Sequence, residues 1–180
     1  KGFHYLLQAM QEILQNCPEA HIKVAGISVL GINGIKSRIK ISAYGKYLRR
    51  LILKNRLEGK VRVLGNLSAE EMKREYLSAQ IFVCPSAVEN SPNSVAEGQL
   101  LGVPVAASRT GGIPDVVKDG VSGLLFEKGN IHELAACVSR ILTDKQLAKE
   151  LSASERETAA KLYNGENNYQ KLIEIYQSIE

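Results

Sequence analysis

The sequence predicts an α/β chain built on a doubly wound parallel sheet. Three observations lead there. Short apolar runs alternate with longer stretches of helical spacing along the 180 residues. The runs are nearly all apolar rather than apolar at every second position, as strands covered on both faces require. They end at Gly26, Gly65, Pro85 and Ser108, residue types that punctuate strand-to-helix loops.

Each element has its own signal. Phe3, Leu6, Leu7, Met10, Ile13 and Leu14 recur at helical spacing, so residues 2–15 read as an amphipathic helix that Pro18 closes. Residues 21–25 form a first strand. The glycine-interspersed stretch 26–41 reads as a long loop. Residues 43–55, rich in Leu, Ile, Arg and Lys, read as a helix, and residues 61–64 as a second strand. Ser68 with Glu71 is a capping box that starts a helix running to Ser78. Residues 81–84 are a third strand. After a loop, Ser91 is placed to cap a helix with Pro92 at its first position, and Gly102 followed by Pro104 ends that helix near Leu101. Residues 103–107 are a fourth strand, Gly111-Gly112 a turn, residues 113–117 a short helix and residues 124–126 a fifth strand. Asn130 and Glu133 cap a helix to about Leu142. Two more helices are expected over residues 145–162 and 166–179.

Composition sets bounds on partners. The net charge of +4 suits anionic small ligands, and no basic motif interleaved with aromatics accompanies it, so nucleic acid is not an expected partner. Cys17, Cys84 and Cys137 are odd in number and widely spaced, the pattern of reduced thiols in a cytoplasmic setting. The three histidines lack metal-ligand spacing, and neither a metal nor another cofactor is expected. No apolar run reaches the length of a membrane span, and no signal peptide is seen, which leaves a peripheral contact at the inner face of a membrane open. The chain starts inside a helical pattern without methionine, as a piece of a longer protein would.

Parallel sheets of this kind bind ligands beyond the carboxyl ends of their strands. One segment there carries chemistry: Glu89-Asn90-Ser91-Pro92-Asn93-Ser94-Val95-Ala96-Glu97. A helix starting at Pro92 offers unspent N–H groups at Asn93 and Ser94 and about half a positive charge, a ready site for a diphosphate. Asn93 and Glu97 share a helix face. Carboxylates beside an anion site need other partners, and vicinal sugar hydroxyls fit. Acidic residues near helix starts are also common because the dipole favours them, so spacing alone leaves the functional and the purely structural reading open.

Glu89 and Glu97 stand in a Glu, seven residues, Glu arrangement within PSAVENSPNSVAEG, followed by LGVPVAASRTGGIPDVVKDGVSGLLFEKGN. With KGFHYLLQAM, HIKVAG and KVRVLGNLS in order before them, these segments resemble glycosyltransferase family 4, retaining enzymes of the two-domain GT-B fold. The resemblance covers nearly the whole chain up to the final helices. It implies that residues 1–162 form the Rossmann-like, nucleotide-sugar-binding half of a GT-B enzyme. Residues 163–180 would form a helix packing on it or on an absent amino-terminal acceptor domain. It implies transfer of a sugar from a UDP- or GDP-linked donor to a glycan or lipid-linked acceptor, commonly in cell-surface polysaccharide synthesis, without a metal. The resemblance further implies that Glu97 binds the ribose hydroxyls and Glu89, the catalytic candidate, orients the transferred sugar. Ser91, Asn93 and Ser94 would meet the diphosphate, Lys1 would neutralise it, and Gly26 and Asn66 would seat ribose and base. Gly98 stands where the family usually has alanine, which suggests close packing at that point. The family's first strand, which lies upstream of the lysine, has no counterpart in the chain, so two strands should be left with unpaired edges.

Overall fold

A computed structural model describes residues 2–26 and 42–179. Lys1 and all of the expected 26–41 loop except Gly26 lie outside the described residues. The elements run α1 (Phe3–Asn16), β1 (Ile22–Ala25), α2 (Ala43–Lys54), β2 (Val61–Gly65), α3 (Ala69–Ser78), β3 (Phe82–Cys84) and α4 (Asn93–Leu101). They continue with β4 (Val105–Ser108), α5 (Ile113–Val116), β5 (Leu124–Phe126), α6 (Ile131–Thr143), α7 (Lys145–Leu162) and α8 (Gly165–Gln177).

The α/β class and the parallel pairing are as the apolar runs predict, and among the described residues the pairing is divided between two sheets. One is β1-β2, with Ile22 opposite Val61 and an irregularity between Val24 and Ala25. The other is β3-β4-β5, with Phe82 opposite Val105 and Ala106 opposite Leu124.

Alternation along β3, β4 and β5 explains why their sequence is apolar at every position but Ser108. Val83, Ala106, Leu124 and Phe126 face one cluster, shared with Leu7, Met10 and Ile13 of α1 and Leu134 and Val138 of α6. Cys84, Val105, Ala107 and Leu125 face the other, with Val95 of α4 and Ile113 and Val117 around α5. Both faces are therefore covered. The first cluster also takes in Ile22, Val24, Val61 and Val63, so the two sheets share one core. Helix α1 packs on both α2 and α6 and bridges the sheets. Burial of Leu7, Met10 and Ile13 stabilises the fold by about 1.5–3 kcal/mol each.

Several helix starts carry a side-chain cap. In α3, Ser68 Oγ accepts from the Glu71 N–H at 3.3 Å and Glu71 Oε2 accepts from the Ser68 N–H at 2.8 Å, the reciprocal capping box. Asn130 caps α6, and Asp144 caps α7. On α7, Glu155 is fully buried; its Oε1 accepts from the Val105 N–H at 2.8 Å where β4 begins, and its Oε2 has no partner among the described residues. Burial pushes the Glu155 carboxyl up to about 8, against the smaller opposing effect of the Val105 bond.

Candidate functional site

The segment between β3 and α4 is held from below by backbone. Ser108 Oγ, at the end of β4, donates to Ser86 O at 2.7 Å, and both serines are buried. Ser86 Oγ in turn donates to Glu89 Oε2 at 3.1 Å, which fixes one oxygen of the half-buried Glu89. Beneath Glu89 and Asn90 lies the Gly111-Gly112 turn. The Gly112 N–H donates to Asn90 O at 3.2 Å. A methyl built on Gly111 would overlap the carbonyl oxygen of Glu89, and one on Gly112 would overlap that of Asn90. The turn thus shapes the loop rather than reaching past it. At the other flank, Gly2 packs so closely on the Pro85 carbonyl that no side chain fits between them, which sets the start of α1 beside this loop.

One sequence expectation fails at the helix start. Ser91 does not cap α4: Pro92 occupies the cap position, with φ −82° and ψ 87°, and no side chain accepts there. Proline has no N–H to satisfy, and its carbonyl accepts from Val95 at 2.9 Å and Ala96 at 3.2 Å. The Asn93 N–H turns back to Ser91 O at 3.1 Å, so it is not the unspent donor expected. The Ser94 N–H has no acceptor among the described residues. Ser91, Asn93, Ser94 and Glu97 are exposed, while Pro92 and Val95 anchor the turn inside.

Glu97 lies one turn into α4. Its Oε2 faces the hydroxyl of Tyr76 on α3 at 3.3 Å, and the same hydroxyl donates to Ser94 O at 2.9 Å. The Tyr76 ring is buried, and it meets Phe82 edge-on with centroids 5.3 Å apart. Burial, and then the Glu97 carboxylate beside it, push the Tyr76 hydroxyl far above the ordinary tyrosine range, so it stays a donor.

Gly26 and Asn66 form a second group. The Gly26 N–H donates to Gly65 O at 2.7 Å, tying the ends of β1 and β2 together, and Asn66 follows exposed. Among the described residues no hydrogen bond joins this group to residues 89–97. Helix α3 runs between them, starting just after Asn66 and packing on α4. A cavity of about 490 Å³ opens elsewhere, between α5, α7 and α8, lined in part by Asp115, Lys118, Glu157 and Lys161; none of the expected site residues borders it.

Sequence reasoning singled out the ends of β3 and β4 but missed the roles of Ser86 and Ser108, and it missed Tyr76 altogether. Tyr76 is the one buried side chain of an otherwise polar helix. A lone aromatic in AEEMKREYLS was its only signal.

The family pattern described as glycosyl transferases group 1 matches residues 1–158. The chain belongs to that family. Among group 1 relatives, the D-inositol 3-phosphate glycosyltransferase of Corynebacterium urealyticum is 29% identical over 179 residues, covering 99% of this chain and 40% of that protein. The putative glycosyltransferase YtcC of Bacillus subtilis is also 29% identical, over 182 residues, covering 99% of this chain and 42% of that one. The chain thus spans 40–42% of the length of these relatives. Among solved structures, Anabaena Alr3699/HepE in complex with UDP superposes with a TM-score of 0.82 at 23% identity, over 99% of this chain and 45% of that one. The C-terminal domain of LpcC from Francisella tularensis superposes with a TM-score of 0.75 at 19% identity, over 91% of this chain and 80% of that domain. These likenesses place the group 1 chain in the GT-B fold.

Proposed function

We propose that this chain is the donor-binding half of a retaining glycosyltransferase that moves a sugar from a UDP- or GDP-linked donor to a glycan or lipid-linked acceptor, in cell-surface polysaccharide synthesis at the cytoplasmic side. One observation carries the reading: an exposed helix start with the Ser94 N–H unspent, flanked by Glu89 seated on Ser86 and Glu97 seated on Tyr76. A helix start attracts a diphosphate, and two carboxylates flanking it suit hydroxyls rather than phosphate. Glu97 takes the ribose diol. Glu89 orients the transferred sugar, with its free oxygen available for a hydroxyl. Ser91, Asn93 and Ser94 line the diphosphate, and Gly26 and Asn66 take ribose and base. Lys1 supplies the cation that offsets charge on the leaving diphosphate, an electrostatic contribution that needs no metal. HepE, a neighbour in fold, has been seen with UDP and with UDP-glucose, which makes a uridine donor the first to test.

Glu97→Ala weakens nucleotide binding roughly 10- to 100-fold, the worth of a charge-assisted hydrogen bond. Titration calorimetry with UDP and with GDP checks it, and an unchanged Kd for the nucleotide that binds removes the ribose role. A second reading, a nucleotide-sugar-binding unit without turnover of its own, is favoured by the chain's span of less than half of its relatives. Release of nucleotide from a UDP- or GDP-sugar by this chain alone, with an acceptor present, would exclude that reading.

A further inference from the structure

The geometry points to Tyr76 as the positioning residue for nucleotide binding, acting through Glu97. This rests on the reading of Glu97 as the ribose-binding carboxylate.

The residues carry it as follows. One buried hydroxyl faces two acceptors three residues apart on α4: Ser94 O at 2.9 Å and Glu97 Oε2 at 3.3 Å. Those are the two residues that matter for a nucleotide, since Ser94 bears the unspent N–H and Glu97 the carboxylate. The hydroxyl cannot wander, because the ring that carries it is only 6% exposed and is wedged against Phe82. Phe82 in turn lies under Gly98 of the same α4 helix, 3.5 Å from where its Cβ would stand. Ring, Phe82 and α4 therefore form one packed unit.

Glu97 itself is exposed, and Tyr76 is its one hydrogen-bond partner among the described residues. Without that donor, an exposed glutamate on a helix samples several staggered rotamers. With it, Oε2 is directed toward the protein and Oε1 is left to accept from a ligand. A single O–H proton is shared between the two acceptors, so the longer contact is adjustable. A ligand diol on Oε1 leaves Oε2 free to tighten on the tyrosine. The cost of ordering the carboxylate is met before the ligand arrives, which is how preorganisation raises affinity.

The test compares ribonucleotides with nucleotides lacking both ribose hydroxyls. Calorimetry on the full chain uses UDP, GDP and their 2′,3′-dideoxy forms, for wild type, Tyr76→Phe, Glu97→Gln and the double variant. The phenylalanine keeps the packing against Phe82 and removes only the hydroxyl. The expected result is a loss of roughly 3- to 10-fold in affinity for the ribonucleotide in Tyr76→Phe. The dideoxy form should bind it as it binds wild type, and the double variant should be no weaker than Glu97→Gln alone. A merely structural tyrosine would weaken both forms alike or neither, so an unchanged ratio of ribo to dideoxy affinity in Tyr76→Phe, with that ratio collapsed in Glu97→Gln, overturns the proposal and leaves the Glu97 reading standing. If the ratio survives in Glu97→Gln as well, or neither nucleotide binds wild type, the Glu97 reading falls and this inference with it.

Discussion

Burial decides the ionisation of Glu155, and with it a pH dependence of the whole fold. Its carboxyl, about 8 in the folded chain against 4.5 for an ordinary glutamate, holds a proton that the unfolded chain has already released. The native state therefore binds more protons between those two values. Stability is highest below about pH 4.5 as far as this group is concerned, falls by up to roughly 1.4 kcal/mol per pH unit as pH rises, and levels off above about 8. Glu155→Gln keeps the acceptor for the Val105 N–H and exchanges one unpartnered polar atom for another. Its melting temperature should exceed that of wild type at pH 8 and approach it at pH 5. A gap that is the same at both pH values would show that Glu155 is not protonated in the fold. Nothing in the sequence marked this residue: Glu155 sits among Ser, Arg, Glu and Thr in a run that reads as a solvated helix, and only the docking of α7 on α4 at the start of β4 buries it. The Ser86–Ser108 bond and the role of Tyr76 were hidden for the same reason, since these partners are 18 to 22 residues apart in sequence and meet only through tertiary packing.

Elements were far easier to read than contacts. Helix α7 spans Lys145–Leu162 as expected, with Asp144 as its cap, and the Ser68-Glu71 box starts α3 where expected. These starts are legible because a cap is a local bond between residues three apart. The start of α4 was misread because Ser91-Pro92 offers two rival cap positions, and the proline carbonyl takes the first bonds. Gly98, in the same helix, was read as permitting close packing at that point. The structure gives another reason to test it: a Cβ there would stand 3.5 Å from Phe82 Cδ1, an ordinary contact, and the backbone is helical. Gly98→Ala should therefore stabilise the chain by about 1 kcal/mol through helix propensity, with nucleotide affinity unchanged. Denaturant melts measure it, and a loss of stability would mean that Phe82 cannot give way.

At the scale of the molecule, α8 contrasts with the rest. None of its residues is buried, and Tyr169, Leu172, Ile175 and Tyr176 are exposed. Its stability is thus of the low, locally opening kind. Removing residues 164–180 should shift the melting temperature by less than about 4 °C, since less than roughly 1 kcal/mol of packing is lost. A drop of more than about 5 °C would show that the helix supports the core. Amphipathic spacing made α8 legible as a helix, but spacing alone could not tell a face that packs on this chain from one that does not. The class of sheet was legible from the apolar runs; among the described residues its strands pair in two ladders, β1-β2 and β3-β4-β5. That division has a consequence for binding. Gly26 and Asn66 ride on one ladder and Glu89 and α4 follow the other, with α1 and a common core packed against both. On the proposed assignment the base would sit on one leaf and the phosphates on its neighbour, so a bound nucleotide would clasp the two leaves like a buckle across a seam.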